Sequence, residues 1–430
     1  MRVLPLWFFV FFPALLMAGN SPFFRHLRIS DGLPQQSVTV ALRDRHGVMW
    51  LGTRDGLCRW DGHRIKVFAP GPEAGSLKSG LIVSMCTDSA GRLLVLTSTQ
   101  GLSVYDERTG AFMPFPLQKP DASLRYFRVH ESAAGTVYVT TSRGLYRLIF
   151  PGVLVAEFDA GMLAKLADNT LTQLAEDRQG CLWLASAKGV SRYNPATREL
   201  VNARNNVRRW NCFDTLSCSA LAVSGNSVWW ANYSGHIRAY DLVSGSLQVY
   251  DNWLPQKRAF NVVTGFAFGD GEMWMSMSLG GLIHHKGDRE QPYIYTHIKE
   301  EEWTLAADEC ESLMLDAYGF LWVYTAAGLS YSQTRAQLFH IFRLDADADA
   351  GRITSALMRD DSTLLLALGN GEFRLWYIYE NRFAPMPVPE VLRRQRGYVW
   401  RMHRDRRNLI WISAGDYLCC HNPRTAAWQL

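Results

Sequence analysis

The chain has 430 residues, 48% of them hydrophobic and 20% charged, which makes it globular and long enough to bury a large core. Its formal net charge of +5 comes from 45 basic and 40 acidic residues spread along the chain, which excludes the clustered basic footprint of a nucleic-acid-binding protein. Eight cysteines form no C-x-x-C pair and no metal-ligand spacing, so no zinc centre or disulfide framework is indicated.

In chain order, Arg2 precedes an apolar run, Val3 to Met17, that closes on the small residue Ala18. The run is shorter than the roughly 20 residues a spanning helix needs, so residues 1–18 read as a secretory signal peptide, with an uncleaved anchor as the alternative. The remainder is then expected in the periplasm. Next, Phe23 to Ile29 reads as an outer strand with no sheet of its own, suited to completing the last sheet of a ring.

A full unit follows. Ser37 to Arg43, Val48 to Thr53, Leu57 to Trp60 and Arg64 to Phe68 read as four antiparallel strands, the last two joined by an Asp61-Gly62 hairpin turn. Its centre, Gly47-Val-Met-Trp50-Leu-Gly-Thr-Arg-Asp-Gly56, returns along the chain, often with an acidic residue ahead of the first Gly, as at Asp44, Asp88, Asp177 and Asp316. The anchor positions are Trp50, Leu94, Tyr138, Trp183, Trp229, Trp274, Trp322, Leu365 and Trp411, spaced 43 to 48 residues apart. That period, with four short strands per unit, is the signature of propeller blades, and each anchor is expected to pack between neighbouring sheets. The acidic residues are read as turn formers.

Propellers typically have about four to eight blades, so nine units call for a division. Leu338 to Leu344 repeats the character of Phe23 to Ile29, and an acidic connector, Asp345 to Ala350, follows it. The fold expected is therefore all-β: a seven-bladed propeller over 22–335, then the first two blades of a second over 336–430. A single larger ring is the alternative. Two blades leave an exposed sheet edge, so the chain is expected to be the N-terminal part of something longer.

Chemistry is sparse. No G-x-S-x-G, H-E-x-x-H or P-loop is present. His284-His285 lack a third ligand at a matching spacing and read as a surface pair, and Asp345 to Asp349 lacks the Gly and terminal Glu of a calcium loop. No metal or cofactor is expected. Cys212 and Cys218 share one inter-strand segment and are the one pair placed for a disulfide. Two features suit recognition. Trp210, Trp253 and Trp303 fall between blades, and Trp230 should point opposite to the anchor Trp229, so these four are candidate ligand-stacking residues. Arg208 and Arg209 suit a carboxylate or sulfate, whereas Arg393 to Arg407 reads as a solvated basic loop.

The opening Phe24-Arg-His-Leu-Arg-Ile-Ser-Asp-Gly-Leu-Pro34, with Gly47 to Asp61 and the looser copy at Gly180 to Asn194, resembles the two-component regulator propeller family. Its members form periplasmic sensor regions of hybrid two-component systems, where two seven-bladed propellers precede a linker domain, a membrane span and a signalling module. The resemblance implies a receptor for an oligosaccharide that signals by rearranging a homodimer. No phosphoacceptor, ATP-binding or receiver motif is visible, so no kinase activity is expected of this chain. An exported propeller lyase or glycosidase, or a protein-binding scaffold, are the rival readings.

Overall fold

The computed structural model describes residues 22–119, 121–149, 152–250, 262–287, 292–334, 353–378, 382–394 and 399–429. Over these the chain forms nine four-stranded antiparallel sheets. It divides into two compact units, Pro22–Gln337 and one that holds Leu338–Leu430.

The first unit is a closed ring of seven sheets. The first strand of each sheet packs against that of the next, from Val38–Arg43 round to Cys310–Leu315, which returns to Val38–Arg43. These inner strands run from an upper face, which carries the connections between blades, to a lower face, which carries the turns into the second strand. Closure comes from the N-terminus. Arg25–Leu27 pairs antiparallel with Gly328–Gln333 and supplies the outer strand of the seventh sheet, the role expected for the Phe23 to Ile29 segment. Only glycine fits at Gly328: its φ is +127°, and a Cβ would stand 2.6 Å from the Leu27 carbonyl oxygen.

The anchors explain how the blades stack. Trp50, Leu94, Tyr138, Trp183, Trp274 and Trp322 are at most 5% exposed, and each joins a core cluster with the following blade. Trp322 of the seventh blade packs against Met49, Leu51 and Cys58 of the first, which seals the ring. In the second unit Leu365 lies between sheets eight and nine, while Trp411 is half-buried.

A buried indole needs an acceptor for its N–H. Asp177 provides one: its Oδ1 accepts the amides of Gln179 and Cys181 at 2.9 and 3.0 Å, and its Oδ2 accepts the Trp183 indole at 3.0 Å. Asp44, Asp316 and Asp405 repeat the arrangement with Trp50, Trp322 and Trp411 at 2.8, 3.0 and 3.0 Å. The acidic residues are therefore turn formers and tryptophan clamps at once.

Two details depart from the sequence reading. The described residues include short helices, Ala160–Lys165 and Glu390–Arg394; the first is capped by Asp159, whose side chain accepts the Met162 amide at 2.9 Å. Cys212 and Cys218 are both free and buried in one core cluster, not joined in a disulfide; burial raises both thiol pKa values to about 12. The Cys218 thiol donates to the Ala220 carbonyl at 3.2 Å.

Replacing Asp177 by Ala should cost about 3–5 kcal/mol, because it orphans a buried indole and leaves Arg192 without its carboxylate at 3.1 Å. Urea unfolding tests this, and a loss below about 1 kcal/mol would contradict the clamp.

The closing strand also carries a titratable group. His26 Nε2 donates to the Glu302 carbonyl at 2.8 Å, Nδ1 lies 3.1 Å from Ser330 Oγ, and Arg28 and His297 are the titratable neighbours that bear on it. Burial lowers its pKa below the ordinary 6.5, opposed by the Glu302 carbonyl. The folded state then binds fewer protons than the unfolded one, so stability is retained above pH 6.5 and lost as pH falls towards the folded pKa. Urea midpoints measured from pH 8 to pH 5 should fall less steeply in His26→Gln than in the parent.

Candidate functional site

The residues picked out for recognition mostly serve packing. Trp230 does point opposite to Trp229, but that face meets the fourth blade: the ring is 2% exposed, in a cluster with Trp183, Val228 and Tyr240, and offers nothing to a ligand. Trp210 is half-buried, stacked on Phe213 at 5.9 Å, with the Arg192 and Arg208 guanidinium groups 5.2 and 5.8 Å from its centroid. Arg208 is held by Glu199, with bonds of 3.0 and 2.7 Å to the two carboxylate oxygens, and this bonding lowers the Glu199 pKa. Arg209 is exposed in a turn with φ +54°. Trp303 is half-buried where its carbonyl accepts the Phe24 amide at 2.9 Å, and Trp253 lies outside the described residues. The structure does not gather these residues into one site.

The basic stretch is also partly engaged. Arg394 pairs with Glu390 at 2.7 Å, and Arg404 donates to the Arg359 carbonyl at 3.0 Å. His284 departs from the surface reading: it is 3% exposed and stacked on Trp274 at 3.5 Å between centroids. Among the described residues no group of three or more metal-ligating side chains converges.

The candidate site is an open groove of about 740 Å³ between the fifth and sixth blades, at the lower face. The clamp is missing there. Six residues before Trp229 stands Val223, not Asp, and the Trp229 ring remains half-exposed on the groove wall. Tyr250 stacks on it at 5.7 Å and 12°, and Phe268 tilts against it at 5.5 Å. The turn at Ser224 to Ser227 brings two hydroxyl residues to the wall, and the opposite lip is the Asp270-Gly271 turn, where Asp270 has φ +52°. A Cβ on Gly269 beside it would stand 2.4 Å from Leu315 Cδ2, so any larger residue there would have to displace that side chain.

Glu272 sits on the rim with its carboxylate shared: Oε2 takes His284 Nε2 at 2.7 Å, and Oε1 takes Lys286 Nζ at 3.1 Å. Desolvation lowers the His284 pKa against the pull of Glu272, and its Nδ1 is buried without a partner among the described residues. The groove thus offers a flat aromatic wall, hydroxyls and a fixed carboxylate. The negative face of an indole attracts the positive C–H edge of a sugar ring, while the polar rim suits its hydroxyls. The sequence signal for this place was the break in D-x-x-G-x-x-W at Val223. Trp274 shares that break, with Phe268 at its acidic position, but His284 covers it.

Residues 32–55 match the family described as Two component regulator propeller, overlapping the segments that carry the sequence resemblance. A curated relative, Histidine kinase P4 of Formosa agariphila, is 44% identical over 66 residues, which is 15% of this chain and 5% of the relative. The extracellular domain of a putative hybrid two component system from B. thetaiotaomicron shares the fold, with a TM-score of 0.69 at 14% identity over 95% of this chain and 55% of that one. A second such domain from that organism gives 0.57 at 16% identity, over 95% and 53% of the two chains. Streptogramin B lyase gives 0.53 at 16% identity, over 72% of this chain and 96% of the lyase. The chain therefore spans about half the length of the two-component domains it matches.

If Trp183 is a buried anchor and Trp229 a groove wall, their truncations should differ. Trp183→Ala should cost about 3–5 kcal/mol and Trp229→Ala distinctly less, as read from urea unfolding of each variant.

Proposed function

We propose that this chain is the exported ligand-sensing propeller region of a two-component receptor, that its ligand is an oligosaccharide, and that it performs no catalysis of its own. The regulator-propeller match at residues 32–55, set within a closed seven-bladed ring, is the observation that carries the sensor reading. The fold shared with extracellular domains of hybrid two component systems supports it. The sugar reading draws support from the groove at Trp229, whose aromatic wall is flanked by polar residues.

In this reading the first eighteen residues, which lie outside the described region, direct export to the periplasm. The propeller is a rigid platform, and a signal arises only if the ligand binds two states of the receptor with different affinity. A homodimer of the whole receptor supplies those states. Catalysis is disfavoured at the groove because Glu272 is occupied by His284 and Lys286.

Thermal unfolding of the full chain against neutral and acidic oligosaccharides tests the proposal. A ligand that binds the folded state raises Tm in proportion to the logarithm of its concentration once saturating. The expected result is a selective rise, loss of that rise in Trp229→Ala, and recovery of the sugar intact. Cleavage of the sugar would favour a propeller enzyme. A folded protein that responds to no member of the panel would favour a scaffold for other proteins.

A further inference from the structure

The upper mouth of the central channel holds a cation without a counter-ion. In six of the seven sheets of the ring the inner strand is interrupted by a bulge near its upper end, as shown by register shifts at Val38/Val40, Ile82/Ser84, Tyr126/Arg128, Cys218/Ala220, Val263/Gly265 and Cys310/Ser312. A bulge leaves one residue outside the ladder and turns the local backbone, so these positions ring the channel at one level. Arg128 follows the bulge of the third blade.

Its Nε donates to Gln173 Oε1 at 2.9 Å on the fourth blade, and its Nη1 donates to the Val83 carbonyl at 3.4 Å on the second. No carboxylate pairs with it among the described residues. Arg128 is half-buried; desolvation lowers its pKa below the usual arginine range, and the one group acting the other way is the Tyr324 phenol of the seventh blade. A side chain of the third blade that reaches the second and fourth and lies in the field of the seventh stands at the axis of the ring.

The surroundings at this level are polar and partly unsatisfied. Ser219 occupies the bulge of the fifth blade, and its hydroxyl is buried with no partner among the described residues. So is Oε1 of Gln35, two residues before Ser37, whose hydroxyl bonds the bulge residue Glu311 at 3.3 Å. Glu311 is committed elsewhere, to Arg54 at 3.1 Å. Desolvating a cation without a counter-charge is costly, and a guanidinium fork matches the oxygens of an oxyanion.

We propose that Arg128 makes the upper mouth of the channel an oxyanion-binding site, taking a carboxylate or sulfate group either as a free ion or as the acidic group of a larger ligand. The site is separate from the Trp229 groove, on the other face of the ring, and stands whether or not the groove binds sugar. Arg128 provides the charge and the fork, and Gln173 fixes the guanidinium plane.

The test is titration of the full chain, in Tris chloride at constant ionic strength, with sodium sulfate, glucuronate and a uronate-containing oligosaccharide, using glucose as the neutral control. The expected result is a saturable rise in Tm with at least one oxyanion and none with glucose. Binding should weaken by about tenfold or more in Arg128→Gln. In oxyanion-free buffer that variant should be no less stable than the parent, since it removes an uncompensated charge. If Arg128→Gln fails to fold, Arg128→Lys keeps the charge, loses the fork, and should bind with intermediate affinity. A response to sulfate and glucuronate alike identifies a free ion, whereas a response confined to the oligosaccharide identifies the acidic group of a larger ligand. Absence of any saturable, Arg128-dependent rise overturns the proposal, as does a variant destabilised equally in every buffer.

Discussion

Each clamped blade depends on one carboxylate used twice. The first oxygen of Asp177 holds the amides of its own turn, and the second holds the indole that fills the space towards the next blade. A tryptophan brings the area needed to fill a gap between two sheets, but its N–H is expensive to bury unpaired. The clamp removes that cost and ties the geometry of the turn to the position of the ring. The spacing D-x-x-G-x-x-W is therefore a physical unit. Where Leu94 replaces tryptophan the second oxygen of Asp88 is released, and Arg92 takes it at 2.7 Å.

The clamp also connects the blades to one another. Asp316 holds Trp322 and, through the same oxygen, accepts Arg43 Nε from the first blade at 2.8 Å. The Arg43 guanidinium then lies 5.2 to 5.7 Å from the ring centroids of Tyr318, Phe320 and Trp322. Ring closure thus rests on a shared carboxylate, a cation over aromatic faces and the Arg25–Leu27 strand. The scheme is relaxed in two places. At Trp229 the clamp is absent and a groove opens; at Arg128 a charge stands in the channel without the carboxylate that Arg43 enjoys.

The repeat, its period, the anchors and the closing strand were legible in the sequence because each is set by residues within one sheet or by similarity between sheets. Turn chemistry, alternation and a large residue at the second strand recur every 43 to 48 residues and need no tertiary knowledge. The packing role of the candidate recognition residues was not legible for a related reason. Alternation correctly sent Trp230 away from Trp229, but in a stacked ring both faces of a blade are covered, so the opposite face was another core. Likewise Cys212 and Cys218 are close in sequence and share a core cluster, yet each fills that core as a separate small apolar residue.

What the sequence by itself determined is the blade: four strands, a clamped turn and an anchor aimed at a neighbour. What only the tertiary structure decided is which polar groups meet across blades. Arg43 and Asp316 are separated by 273 residues, and Arg128 finds Gln173 a full blade away. Those meetings depend on the curvature of the ring and on where the bulges turn the inner strands. Both arise only when seven sheets close on one another, which no single repeat encodes.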